Sequence, residues 1–110
     1  VPNISGLLNK GKNNMFCQKV KSIEAAAKYY AQDYADKLTF NNDISSVKVA
    51  TLLEYGYIKE DNKGQNDVKD PRTDADLKNV DVTIKIINGR YYGAYPLNDK
   101  DKKFCDKTSD

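Results

Sequence analysis

The chain has no histidine and only two cysteines among its 110 residues. Histidine is the side chain that most often moves protons near neutral pH, and neither cysteine has an obvious base beside it in the sequence. The sequence also has no phosphate-binding loop and no nucleophile-elbow motif. Its paired carboxylates lie in polar loops, which lack the burial that tunes catalytic carboxylates. We therefore predict that the protein is not an enzyme.

Long apolar runs and a strong net charge are absent as well. No stretch of 18 or more apolar residues suggests a membrane span, and no signal-peptide pattern is present. The formal net charge is +2, which gives no strong attraction to nucleic acid. Because Val1 is not an initiator methionine, we interpret the sequence as a fragment or a processed form.

The two cysteines, Cys17 and Cys105, do not form a C-x-x-C motif. A zinc site would need two further ligands from carboxylates, which is a poor match to known zinc chemistry. A disulfide is favoured over two unrelated buried thiols, and it would place the protein outside the cytosol. Closing so long a loop would constrain the unfolded chain by about 4–5 kcal/mol.

What the chain does have predicts a single folded domain over residues 1–110 with a small core. Hydrophobic residues make up 39% of the chain, charged residues 31%, and eight tyrosines add amphipathic bulk. The mean hydropathy is −0.77. This balance lies above the range typical of disordered chains, but the core must be lean.

A helical period dominates residues 1–40. An apolar stripe recurs at steps of three and four and predicts one long helix facing a core, with Asn41, Asn42 and Asp43 as stop signals. The positions of this stripe are Phe16, Val20, Ile23, Ala27, Tyr30, Tyr34 and Leu38.

A second apolar cluster lies at the front of this helix. It is rotated by about a quarter turn from the stripe, at 100° per residue. An offset face of this kind predicts a second packing partner, although a weakly structured terminus is the plain alternative. The cluster consists of Val1, Ile4, Leu8 and Met15, with Leu7 further round.

The rest of the chain predicts a short helix, a hairpin and a polar tail. The short helix covers residues 46–56, with Ser45 or Ser46 as its cap and Gly56 as its stop. A β-hairpin over residues 80–95 turns at Asn88-Gly89. A disulfide through Cys105 would attach the tail over residues 96–110 to the domain. The sequence leaves open whether this tail adds a third strand to the sheet. The predicted class is α+β, with a long amphipathic helix packed on a small antiparallel sheet.

Several stretches resemble type IV pilins and the related pseudopilins of Gram-positive bacteria. VPNI at the start is similar to the point where the apolar stem of such subunits gives way to the amphipathic half of the first helix. SIEAAAKYYAQDY at 22–34, VKVATLLEYGYIKED at 47–61 and DPRTDADLKNVDVTI at 70–84 resemble the helix, the segment after it and the loop before the sheet. The family's peptidase site and apolar stem would lie before Val1.

The resemblance implies a pilin-like headpiece without its stem. Such a subunit is held in the membrane by the stem and then assembles with copies of itself and with related pilins into a cell-surface, extracellular filament. Adhesion, motility, biofilm formation and DNA uptake are the roles this implies, with a host surface or DNA as undetermined partners. The rival interpretation is a small secreted, disulfide-bonded binding module, unrelated to filaments, that would bury the front apolar face of the helix within its own domain.

On the filament interpretation, Val1, Ile4, Leu7, Leu8 and Met15 are the predicted filament interface. Four lysines precede the first acid, Glu24, and could pair with a neighbour's loop over residues 61–81, which holds six aspartates against four basic residues. A solvated helix face and contact with anionic lipid headgroups are alternatives. These lysines are Lys10, Lys12, Lys19 and Lys21.

No cofactor is expected, and calcium is retained only as an alternative. The loop clusters oxygen ligands without the EF-hand spacing, but some pseudopilins bind calcium in a loop. The candidate ligands are Asp61, Asp67 and Asp70. Tyr30 and Tyr34 are expected in the core, and only one of Tyr91 and Tyr92 can be exposed, since neighbouring strand residues face opposite ways.

Overall fold

The long helix and the small sheet are both present in the computed structural model, which describes the backbone of residues 4–107 and the side chains of residues 10–106. The elements are α1 (Ile4–Tyr34), a 3₁₀ turn (Ala35–Lys37), β1 (Ile44–Lys48), α2 (Val49–Glu54), β2 (Asp81–Ile87), β3 (Arg90–Ala94) and α3 (Asp99–Lys107). The three strands form an antiparallel sheet in the order β1-β2-β3. The predicted α+β class is confirmed.

The apolar stripe of α1 is the part of the helix that packs against the rest of the domain. From Phe16 to Tyr30, each side chain of the stripe is at most 3% exposed, as the helical period predicts. The helix ends earlier than expected, because Leu38 is already extended, with φ −108° and ψ 145°. Asn42 and Asp43 do not stop the helix. They adopt positive φ values of 53° and 63° in the turn that leads into β1, a conformation that Asn and Asp tolerate.

The third strand is β1, where the sequence predicted the start of the short helix. Ser45 and Ser46 pair with β2, so the prediction that one of them caps α2 is wrong. The residue before α2 is Lys48, which makes no capping hydrogen bond through its side chain. Instead, the amides of Val49 and Ala50 donate to the carbonyls of Val80 and Lys78, at 3.0 and 2.9 Å. The segment before β2 therefore satisfies amides that a capping side chain would otherwise serve.

Gly56 ends α2 as predicted. With φ +79°, it lies in the left-handed region that favours glycine. The amide of Gly56 donates to Leu53 O at 3.1 Å and that of Tyr57 to Leu52 O at 2.9 Å. This pair of bonds is the Schellman arrangement.

The hairpin is also confirmed. Asn88 and Gly89 both have positive φ, 53° and 76°, as a type I′ turn requires. On the inner face of the sheet Val82 and Ile84 are fully buried. Tyr92, on the outer face, is 45% exposed.

The tail forms a helix and adds no strand to the sheet within the described residues. Asn98 caps α3, because its side-chain oxygen accepts the amide of Asp101 at 2.8 Å. Asp99 and Asp101 in the first turn complement the helix dipole. Its residue Cys105 is buried against α1.

The sheet approaches α1 closely at Gly93 of β3. A Cβ added at Gly93 would collide with the backbone carbonyl of Glu24. Beside it, the amide of Tyr95 donates to the Glu24 carboxylate at 2.9 Å. Helix and strand are thus in backbone contact, and only glycine fits there.

We expect Gly93→Ala to destabilise the domain by about 1–3 kcal/mol, because the added methyl must push β3 away from α1. Urea denaturation measures the change. Gly11→Ala is the matched control, since a Cβ at Gly11 meets nothing within 4 Å, and it should raise stability through helix propensity. Equal stabilities of Gly93→Ala and the wild type would contradict the close packing.

Candidate interaction surface

The solvent face of α1 carries a continuous uncharged stripe. Its residues recur at alternating steps of four and three, the spacing of the contact positions in helix–helix packing. All seven are exposed, in a protein in which 31% of residues are charged. We call this stripe the exposed seam; it consists of Gly11, Met15, Gln18, Ser22, Ala25, Tyr29 and Gln32.

The two large side chains of the seam are well exposed to solvent. Met15 is 60% exposed and Tyr29 is 51% exposed. The seam lies on the side of α1 away from the buried stripe, and no described residue of the domain covers it.

Of the predicted filament interface, the structure describes only the side chain of Met15, which lies on the seam. The side chains of Val1, Ile4, Leu7 and Leu8 lie outside the described residues. In the sequence, Val1, Ile4 and Leu8 continue the spacing of the seam toward the N-terminus, whereas Leu7 does not. The sequence analysis missed the extension of this face to Gln32, although the spacing of uncharged residues was the signal.

Lysines flank the seam on both sides. Lys12 and Lys19 follow seam positions, and Lys21 and Lys28 precede them. Within the described part of the chain, only Lys19 among these four forms an ion pair: its Nζ lies 2.6 Å from Asp61 Oδ2. Lys28 Nζ stands 5.7 Å from the centre of the Tyr29 ring.

For Lys19 the predicted acidic loop is therefore that of its own chain. Lys19 Nζ also donates to the carbonyl of Lys69 at 2.6 Å, which ties α1 to the loop after α2. Lys10 and Lys12 are exposed, and neither they nor Lys21 has an ion-pair partner among the described residues. These three remain available to another molecule.

The three carboxylates considered for calcium are bonded to donors of the protein. Asp61 Oδ2 accepts Lys19 and the amide of Lys69, the latter at 2.7 Å. Asp67 accepts the backbone and side-chain N–H groups of Asn62, at 2.8 and 2.7 Å, and these bonds hold the pKa of Asp67 below its usual value. No group of three or more metal-binding side chains occurs in the described part of the chain.

Arg72 binds the third of these carboxylates and joins three elements. Its guanidinium lies 3.5 Å from the centre of the Phe16 ring on α1. It donates to both oxygens of Asp70 and, at 2.9 Å, to Asp101 on α3. Burial alone would raise the pKa of Asp70, but the hydrogen bonds and charge of Arg72 outweigh burial and lower it.

The disulfide between Cys17 and Cys105 lies beside this arginine, as predicted, and bonds α1 to α3. The two cysteines, Phe16 and Val20 form a small core of their own. Tyr95 packs edge-on against Phe16, with ring centres 6.1 Å apart. The first half of α1 is thus attached rigidly to the C-terminal part of the domain.

Tyrosines occupy the far end of α1. Tyr30 is buried as expected, and Tyr34 packs against the same core. Tyr55 and Tyr57 stack edge-on with Tyr30, at 5.3 and 5.8 Å. A hydrogen bond to Asp33 raises the pKa of Tyr57 to about 12.

A second surface feature is an acidic cleft of about 450 Å³ between α2 and the loop that precedes β2. Leu53 and Ala50 form its apolar part, and Glu54 and Asp76 supply carboxylates beside the single ammonium of Lys78. Glu54 has no ion pair or hydrogen bond among the described residues, and Asp76 accepts only the amide of Lys78, at 2.9 Å. We call this feature the acidic cleft.

Comparison with known proteins gives no relative, since no family model, curated protein or solved structure matches the chain. The resemblance to pilins therefore stays a prediction. Among the described residues, none of the helices combines the length and the apolar character that a membrane crossing needs.

The Asp70–Arg72 pair predicts acid sensitivity. Because the folded pKa of Asp70 lies below that of an unperturbed aspartate, its contribution to stability is present above about pH 4 and is lost as the pH falls through the folded pKa. Asp70→Asn should be less stable at pH 7, and its stability should fall less between pH 4 and 2. Urea denaturation at several pH values tests this.

Asp74→Asn is the control for this experiment, since its exposed side chain accepts no hydrogen bond among the described residues. It should retain the wild-type pH profile. If the stability of Asp70→Asn changed with pH in parallel with that of the wild type, Asp70 would not be the source of the acid sensitivity.

Removing the disulfide with Cys17→Ser and Cys105→Ser together should cost about 2–5 kcal/mol of unfolding free energy. The loss should release α3 first, because the disulfide and the ion pair of Asp101 with Arg72 attach α3 to the rest of the fold. Amide hydrogen exchange resolves this order. Uniform loss of protection across α1 and the sheet would contradict it.

Proposed function

We propose that the chain is the extracellular domain of a structural subunit that assembles into a type IV pilus-like filament. On this proposal the exposed seam of α1, continued by the apolar positions before it, is the contact with other subunits. The observation that carries the proposal is the seam itself: a long helix leaves an uncharged, regularly spaced face open on a strongly charged protein.

Gly11 supports this interpretation. Glycine within a helix costs about 1 kcal/mol relative to alanine, and no described residue occupies the space where a Cβ of residue 11 would lie. Folding of the single chain therefore gains nothing from glycine here. A neighbouring subunit that approaches the helix backbone closely would require it.

The attachment of α1 supports the proposal from a second direction. The disulfide and the Arg72 contacts anchor the first half of the helix to α3 and to the loop. A helix that joins a membrane stem to a headpiece needs such an anchor. A disulfide also fits an extracellular location.

The rival, a secreted binding module, would be expected to use this helix face within its own core. Met15 instead stays largely exposed within the described residues. We therefore favour the filament subunit, held in the membrane before assembly by a stem that would precede Val1.

Gln18→Glu tests the proposal with a minimal change of shape. Burying a carboxylate in a subunit contact is costly, so the amount of surface filament from the full-length protein should fall by about tenfold, equivalent to about 1.4 kcal/mol. Filaments sheared from cells and quantified by immunoblot and electron microscopy provide the measurement.

Gln65→Glu, the same change at an exposed loop position, is the matched control and should assemble normally. Both variants should melt at the wild-type temperature, which separates assembly from folding. Normal filament yields from Gln18→Glu, and also from Met15→Glu, would exclude the seam as the assembly contact.

A further inference from the structure

We infer that the exposed seam docks onto the acidic cleft of a second copy of this chain. The inference rests on the proposed function and names the partner surface within the filament. The contact is heterologous: one copy contributes α1, and the next contributes α2 with the loop before β2.

The charge flanking the seam excludes the simplest alternative, a symmetric contact between two α1 helices. Lys12, Lys21 and Lys28 border the seam on its two sides and form no ion pair among the described residues. The flanking Lys19 is paired with Asp61 of its own chain. The two acids at the border, Glu24 and Asp33, accept the amide of Tyr95 and the hydroxyl of Tyr57. Two such helices would place lysines against lysines, in parallel or antiparallel order. Like charges at the borders of a helix pair disfavour that pairing.

The partner must therefore offer carboxylates around an apolar floor. The acidic cleft has this composition, with Leu53 and Ala50 inside and Glu54 and Asp76 at its border. Its carboxylates bind no cation of their own chain among the described residues, whereas Asp61, Asp70 and Asp81 each do. Lys78, the one ammonium in the cleft, reduces its charge but leaves it negative.

Each of the two surfaces supplies the charge that the other lacks. The seam offers Met15 and Tyr29 without any acid beside them in the sequence, and the cleft offers two carboxylates beside an apolar part. Complementary charges would set the orientation of the contact and its dependence on salt. The apolar side chains would supply its burial.

A contact between two different surfaces of identical copies has a structural consequence. A joined pair keeps one unused cleft on the first copy and one unused seam on the second, so that assembly continues to a filament if the rotation does not close a ring. The pairing therefore makes the proposed filament polar, with a different free surface at each end.

Photo-cross-linking in the filament tests the pairing. Benzoylphenylalanine replaces Ser22 in the full-length protein, a second population carries ¹⁵N, and filaments assembled from both are irradiated, digested and analysed by mass spectrometry. We expect cross-links between labelled and unlabelled copies that join the seam to peptides covering residues 49–54 or 73–79. Cross-links to α1 of the other copy, or to any other surface, would overturn the pairing.

Charge reversal gives a second, independent measurement. Lys12→Glu with Lys21→Glu should reduce these cross-links by about fivefold or more, and so should Glu54→Lys with Asp76→Lys. All four changes in one chain should restore them. Lys63→Glu with Lys102→Glu, at exposed positions outside both surfaces, is the control and should have no effect.

The outcomes separate the two proposals. Filaments whose cross-links avoid the acidic cleft, or whose yield is insensitive to the four charges, would contradict the pairing and leave the filament function intact. The failure of the unmodified full-length protein to form any filament would contradict the proposed function and the pairing with it.

Discussion

The packing of the buried stripe of α1 against the inner face of the sheet determines where every other element lies. Gly93 brings β3 into backbone contact with the helix, and Glu24 reaches from the helix to the amide of Tyr95. The contact is close because Gly93 carries no side chain at it. The opposite side of the helix carries the exposed seam, whose seven residues are all exposed.

The elements that could be predicted are those whose signals are local. The stripe of α1, the turn at Asn88-Gly89 and the stop at Gly56 follow from periodicity and backbone conformation at single residues. The disulfide followed from the count of two cysteines without histidine. The strand β1 could not be predicted, because ISSVK is short and its pairing depends on β2, more than thirty residues later. The same long-range pairing supplies the acceptors that α2 uses in place of a side-chain cap.

The residues of the candidate surface show the same difference between local signals and long-range contacts. Met15 could be placed on an offset face from the sequence, since the helical period is local. The partner of Lys19 could not, because the loop that brings Asp61 to it is folded by its own contacts. In that loop carboxylates accept backbone amides of Lys69, Asn62 and Lys78. Aspartates that look like cation ligands in the sequence instead replace the regular hydrogen bonds that an irregular segment lacks.

The position of the disulfide has a mechanical consequence. Cys17 and Cys105 enclose α2, the whole sheet and the long loop between α2 and β2 in one covalent ring. A tensile force applied at the start of α1 and opposed near the C-terminus is transmitted through the disulfide and not through the sheet. Under such tension the enclosed residues cannot be extended, and only segments outside the ring can lengthen. The domain is built so that load between its two ends is borne by a covalent bond while the non-covalent core stays unstressed.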